Sequence, residues 1–212
     1  KYIKNNTVLD ENEYNKIFID FFSFIERMLY FRSLEDRTYM GLDIGSKTLT
    51  DDIIENNNVH DFEKFLNDAN IKCKLTIVKG LNKKDIAFDF NGKKILMYEI
   101  LSTGTSALTL FYFWFQRIKK AEVSFLFIDE FDAFYHFELS ESVQRHLNQI
   151  AGVQIFTTTH NTDLMSNDLL RPDSYFLLAN NSIKAISQLT EKELRQAHNL
   201  QKMYKAGAFN GR

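Results

Sequence analysis

The sequence predicts an α/β fold: a mostly parallel sheet flanked by helices, with a small antiparallel meander and an N-terminal helical segment. Three observations predict it. After residue 100, continuous apolar strands alternate with helical patterns, as in a sheet covered on both faces. Between residues 74 and 98 the rhythm changes to period two and is broken by Asn91-Gly92. Between Glu13 and Phe31, apolar residues recur at three- and four-residue steps.

Taken in order, Tyr14, Ile17, Phe18, Phe21, Phe22, Ile25, Met28 and Leu29 give the first segment one apolar helical face. Residues 33–58 carry loop chemistry, with a polar Asn56-Asn57-Asn58 run near their end. A short helix fits Val59–Asn70, with Phe62, Phe65 and Leu66 on one side. Strands follow at 74–78, 85–90 and 94–98, and Asn91-Gly92 supplies the two-residue type I′ turn of a hairpin. A glycine-containing turn at 102–105 opens an apolar helix to about Lys120. Buried strands at Val123–Ile128 and Gln154–Thr158 enclose a helix near Ser140–Ile150. A further strand at Ser174–Leu178 precedes a terminal helix, which Thr190 and Glu193 would open as a capping box. These elements divide the chain into residues 1–58, a helical segment and loop; 59–100, a helix and meander; and 101–212, an α/β lobe.

Composition narrows the function. The 212 residues suffice for one core with a small appendage. Twenty-six basic against 28 acidic residues leave a net charge of −2, which argues against a broadly basic nucleic-acid clamp. With 44% hydrophobic and 25% charged residues the chain has the make-up of a folded soluble domain. No apolar run approaches the roughly 18 residues of a membrane span. A lone Cys73 excludes a disulfide framework or cysteine-built zinc site and fits a reducing cytoplasm. The histidines lack metal-ligand spacing with cysteine or with one another. The chain opens on Lys1 and closes on Asn-Gly-Arg, and is expected to be a piece of a longer protein.

The richest stretch is Ser124–His136, "SFLFIDEFDAFYH". An apolar strand ends in Asp129 and Glu130, which places both carboxylates at the carboxyl edge of a buried parallel strand, where α/β sheets bind ligands. In such a Walker B arrangement the first carboxylate holds Mg²⁺ and the second polarises the water that attacks a γ-phosphate. Twenty-seven residues earlier, Ser102 opens "STGTSALTL", where small residues and Gly104 leave a helix start able to bind an anion. Thirty-one residues after Asp129, His160 ends a second apolar strand, where it could contact a γ-phosphate.

"LSTGT", "FLFIDEFDAFYH" and "TTTHN" together resemble the second half of an ABC-type ATPase head. The resemblance is nearest to the AAA-type ATPases of abortive-infection and overcoming-lysogenization-defect (OLD-like) phage-defence systems. In that group the signature reads Ser-Ser/Thr-Gly-Thr, as Ser102-Thr103-Gly104-Thr105 does here after Glu99, and a histidine often follows the acidic pair, as His136 does. The terminal "YKAGAFNG", Tyr204–Gly211, resembles a tail of the same proteins, and the likeness spans about residues 60–212. It implies the C-terminal half of a P-loop NTPase head that binds and hydrolyses ATP with Mg²⁺. Asp129 would help hold Mg²⁺ through water, Glu130 would be the general base, and His160 the switch histidine. Ser102, Gly104 and Thr105 would face the ATP of a partner subunit, and Asp132 to His136 would form the inter-subunit loop. Two heads would then meet in a homodimer or higher oligomer and control an effector nuclease or toxin.

The chain lacks the phosphate-binding loop Gly-x-x-x-x-Gly-Lys-Ser/Thr of that family, its Walker A motif. The nearest approach, Gly41 to Thr48, has Lys47-Thr48 but carries Ser46 where the second glycine belongs, and it reads as a surface turn. The chain alone is therefore expected to be inactive, with that loop upstream; no Q-loop glutamine is identifiable. The aromatic string Phe111–Phe115 reads as core, and the pairs Lys83/Lys84, Lys93/Lys94 and Lys119/Lys120 as solvated turns and helix ends. Two other functions fit the motifs: a nucleotide-gated scaffold that sequesters a toxin or nuclease with little turnover, and a DNA-repair or SMC-like ATPase head. DNA is not indicated by charge, and a nuclease within the chain is disfavoured because no second carboxylate set stands out.

Overall fold

The structure, a computed structural model, describes residues 12–32, 38–41, 48–80, 83–120 and 122–209. Its centre is a four-stranded sheet of β1 (Met28–Arg32), β2 (Thr38–Met40), β6 (Phe125–Asp129) and β7 (Gln154–Thr157), in the order β2-β1-β6-β7. β1, β6 and β7 run parallel, and β2 is antiparallel to β1 at one edge. The parallel α/β lobe expected from the alternating pattern is present. It reaches further upstream than the pattern suggested, because β1 lies directly beside the strand that ends in Asp129.

That placement corrects the first helix. Helix α1 (Glu13–Glu26), capped by the Asn12 side chain, stops two residues before β1, and Met28 and Leu29 sit in a strand. Helical spacing and the strand reading compete over this stretch. Parallel pairing of Leu29 with Leu126 and Phe31 with Ile128 decides it, because burial in a sheet outweighs local propensity. No residue of α1 is buried. The segment read as loop also holds structure: β2, and helix α2 (Leu49–Glu55).

Helix α3 (Val59–Asp68) packs on β3 (Leu75–Lys79), which pairs with β4 (Lys84–Phe90) and then β5 (Lys93–Leu96) in the expected antiparallel meander. Asn91 and Gly92 both have positive φ, as a type I′ turn needs. β5 gives way at Met97 to the short helix α4 (Met97–Ile100). Helix α5 (Thr103–Lys119) follows and contacts both α2 and α3.

The aromatic string is core, as expected: Phe111, Tyr112, Phe113, Trp114 and Phe115 are all buried. Trp114 meets Phe31 of β1 edge-on, with centroids 5.8 Å apart, and so ties α5 to the sheet. Tyr112 stacks at a tilt on Phe62 while its hydroxyl donates to Asp61 at 2.7 Å. Each such side chain contributes roughly 1.5–3 kcal/mol by leaving water.

The sheet's two faces differ. Leu29, Phe31, Leu126 and Ile128 point into the core and are buried. Tyr30, Phe125 and Phe127 on the opposite face are only half-buried, and Phe156 is exposed. Tyr30 stacks on Phe127 at 5.3 Å and Phe125 tilts against Phe156 at 5.7 Å, forming an aromatic stripe across three strands. β7 has no further strand partner among the described residues.

Past β7 the chain builds an appendage with its own small core of Ile186, Leu200 and Phe209. The strand expected at Ser174–Leu178 is β8 (Phe176–Ala179). It pairs with β9 (Ser182–Ala185) as a separate hairpin and not with the parallel sheet. Asn180 and Asn181 both adopt positive φ, and so form the type I′ turn that brings the chain back. The capping box at Thr190–Glu193 does not form. Thr190 accepts only the Lys192 amide in a local turn, and the last helix, α7 (Leu200–Lys205), is capped by Asn199. Of the resembling tail, residues 210 and 211 lie outside the described residues, whereas Phe209 is buried in the small core. No helix among the described residues is long and apolar enough to cross a membrane.

Candidate active site

The site begins at the carboxyl end of β6. Asp129 is the last residue of that strand, and Arg32 of β1 is its register partner. Glu130 follows with φ of 44°, a left-handed backbone that non-glycine residues rarely adopt. Phe131 is buried and anchors the turn from below. Turns closed by Ala133 N–H to the Glu130 carbonyl and Tyr135 N–H to the Asp132 carbonyl carry the chain to His136. His136 is the N-cap residue of helix α6 (Phe137–Asn148), and its side chain makes no capping bond. Asp132 is half-buried and His136 exposed, so the segment expected to form an inter-subunit loop presents both side chains. Burial pushes the Tyr135 hydroxyl far above its usual pKa.

The carboxyl end of β7 lies beside this turn. The Thr158 hydroxyl donates to Asp129 Oδ1 at 2.5 Å and accepts the Glu130 amide at 2.8 Å. Its backbone joins in as well: Thr158 N–H donates to the Ile128 carbonyl and its carbonyl accepts from Phe131 N–H. Two residues on, His160 Nε2 stands 3.4 Å from Glu130 Oε1. The histidine side chain is 91% exposed and the glutamate 28%, so solvent reaches the pair from one side. The structure therefore brings Asp129, Glu130 and His160 together, although 31 residues separate the first from the last.

The start of α5 belongs to the same surface. Ser102 is its N-cap: its Oγ accepts the Thr105 amide at 3.2 Å and lies 2.9 Å from Thr105 Oγ1. Ser102 and Thr103 are exposed. A Cβ on Gly104 would stand 3.1 Å from the Phe134 carbonyl oxygen, so the absent side chain lets the helix start lie against the loop that follows Glu130. Helix start and acidic loop are thus in direct contact.

The two flanks of the near-match to a phosphate loop lie elsewhere. Residues 42–47 are outside the described residues, but both flanks are placed. β2 runs antiparallel to β1, so Met40 and Gly41 lie by Tyr30 and Met28, at the amino end of the parallel strands. The acidic pair is at the carboxyl end, roughly 13 Å away along a five-residue strand. Thr48 is occupied as the N-cap of α2 in a capping box with Asp51. That bond, with Lys83 at 3.2 Å, holds the Asp51 carboxyl below its usual pKa. Asp51 and Asp52 already supply negative charge to this helix's first turn, which disfavours a phosphate there.

The carboxylates suit one cation class. Asp129 spends Oδ1 on Thr158, and Oδ2 makes no hydrogen bond among the described residues. No group of three or more acidic, histidine or cysteine side chains that could hold a metal occurs among them. Such a pair fits Mg²⁺, which keeps several waters and takes further ligands from phosphate. Sequence reasoning missed Thr158; its one signal was the unbroken Thr157-Thr158-Thr159 run before His160.

A protein-family profile described as "AAA domain, putative AbiEii toxin, Type IV TA system" matches residues 6–166, a span that includes Ser102, the acidic pair and His160. No curated protein matches the chain.

Proposed function

The chain belongs to this AAA-domain family, P-loop ATPases linked to abortive infection and toxin–antitoxin systems, and from that membership we propose that it is the acidic-pair half of an ATP-hydrolysing head. The observation that carries the reading is the joining of Asp129, Glu130 and His160 across the ends of two adjacent parallel strands. Mg-ATP, when bound, supplies the phosphoanhydride and the cation that neutralises charge on the transferring phosphoryl group. Asp129 offers Oδ2 to that cation. The Glu130 carboxylate accepts the proton of the attacking water, and His160, exposed beside it, orients that carboxylate and senses the γ-phosphate.

Two features support a head completed by polypeptide outside these 212 residues. Gly41, the described residue that leads into the near-match, lies at the amino end of β1 and not beside Asp129. The half-covered aromatic face and the outer edge of β7, which has no second strand partner among the described residues, suit a further strand and helix, the unit that would carry a phosphate-binding loop. Without that unit the chain is inactive.

Ser102, Gly104 and Thr105, in contact with the loop of Asp132 and His136, form the surface that meets ATP on a second subunit. Self-association around ATP then gates an effector, a toxin or nuclease, in bacterial anti-phage defence in the cytoplasm. Glu130→Gln in the full-length protein tests the reading: hydrolysis should vanish while ATP-dependent association persists, and unchanged turnover would sink the assignment.

A further inference from the structure

We propose that Thr158 is a positioning residue for the acidic pair: its single hydroxyl fixes Asp129 and Glu130 together, so that the cation-side carboxylate and the general base are presented as one unit. This rests on the hydrolytic role proposed for the pair. Three observations lead to it.

The direction of each bond is unambiguous. An ionised carboxylate only accepts and an amide only donates, so the hydroxyl must give its proton to Asp129 Oδ1 and receive the Glu130 N–H on a lone pair. The bond to Oδ1 leaves Oδ2 as the oxygen available to a cation. Charge-assisted bonds of this kind are the stronger ones, and second-layer partners of metal-binding carboxylates set their orientation.

The backbone needs a restraint at this point. Glu130 sits at φ of 44°, a conformation that persists only where the surroundings over-determine it. The Glu130 amide is held by the Thr158 hydroxyl, and the next amide, Phe131, by the Thr158 carbonyl. One residue of β7's end thus grips two successive amides of the turn.

The grip also links the two ends of the site. Thr158 lies two residues before His160, whose Nε2 stands 3.4 Å from the Glu130 carboxylate. The backbone bonds of Thr158 tie the end of β7 to Ile128 and Phe131, and its hydroxyl adds the link to the Asp129 carboxylate and the Glu130 amide.

Valine matches threonine in shape and β-branching, so Thr158→Val deletes the hydroxyl with little change in packing, and Thr158→Ser keeps the hydroxyl. Amide hydrogen exchange on the 212-residue chain, read by NMR without nucleotide, gives the first measurement. Glu130 N–H should exchange roughly tenfold faster in Thr158→Val. Phe131 N–H, bonded to the backbone carbonyl, should be unchanged. In the full-length protein, the Mg²⁺ concentration for half-maximal ATP hydrolysis should rise about 10–100-fold in Thr158→Val with KM for ATP unchanged. Thr158→Ser should restore both values. Wild-type exchange at Glu130 together with wild-type Mg²⁺ dependence in Thr158→Val overturns the proposal. Equal loss in the serine and valine variants also overturns it, because shape and not the hydroxyl would then matter. Turnover that survives Glu130→Gln overturns the hydrolytic reading instead, and the exchange measurement still decides the hydroxyl's part.

Discussion

Two substitutions in one segment separate a phosphate loop from a structural turn. Gly41 has φ of 132°, and a Cβ there would fall 2.1 Å from the Met28 carbonyl oxygen, against backbone of β1 that cannot rotate away. Gly41→Ala must therefore lift β2 off β1 or distort the turn. A residue forced into such a backbone region costs about 1–3 kcal/mol, and the lost edge pairing adds to it. We expect about 3 kcal/mol, which for a domain of this size lowers the melting temperature by about 6–12 °C. Lys47, in contrast, should be dispensable: ATP affinity of the full-length Lys47→Ala protein should stay within about twofold of wild type, a difference under 0.5 kcal/mol. Calorimetric melting of the first variant and equilibrium nucleotide binding by the second measure the two effects. A phosphate loop would behave oppositely. Loss of ATP binding in Lys47→Ala, with Gly41→Ala melting normally, would refute the reading of Gly41 as a structural turn residue at the amino end of β1.

Two other outcomes follow from burial. Half-burial, with Glu63 nearby, pushes the Cys73 thiol from 9.0 up to about 11. At pH 8 the native thiolate fraction then falls about 100-fold below that of the unfolded chain. Alkylation should slow in proportion, and equal native and denatured rates would contradict the placement. Phe209 fills the small core with Ile186 and Leu200, so Phe209→Ala should cost about 3 kcal/mol. The loss should fall first on hydrogen exchange between β8 and the end of α7, leaving the parallel sheet protected.

The elements that the sequence made legible are those whose signal is local and dense. The apolar run of β6 ending in two carboxylates, the aromatic string of α5 and the Asn91-Gly92 turn each carry their structure within a few residues. β1 was hidden because Met28 and Leu29 continue the helical spacing of α1; only pairing with β6, almost a hundred residues away, distinguishes the two states. The β8–β9 turn was missed because Asn180-Asn181 lacks the glycine that flags such turns, although both asparagines adopt its backbone. At Thr190 the capping-box letters are present, but the segment up to Asn199 forms turns and no helix. Spacing and motif named Asp129, Glu130 and His160 in the site. Thr158 was not legible, because its role depends on where β7 ends relative to the Glu130 turn, and that is a property of register.

The central claim is that Glu130 is the base of an ATP-hydrolysing pair. It is tested most directly by measuring phosphate release and ATP-dependent association on the same preparation of full-length Glu130→Gln protein. Turnover should fall by a factor on the order of 10²–10⁴, the usual contribution of a positioned general base, while association with ATP is retained or prolonged. Phosphate release at the wild-type rate would contradict the account.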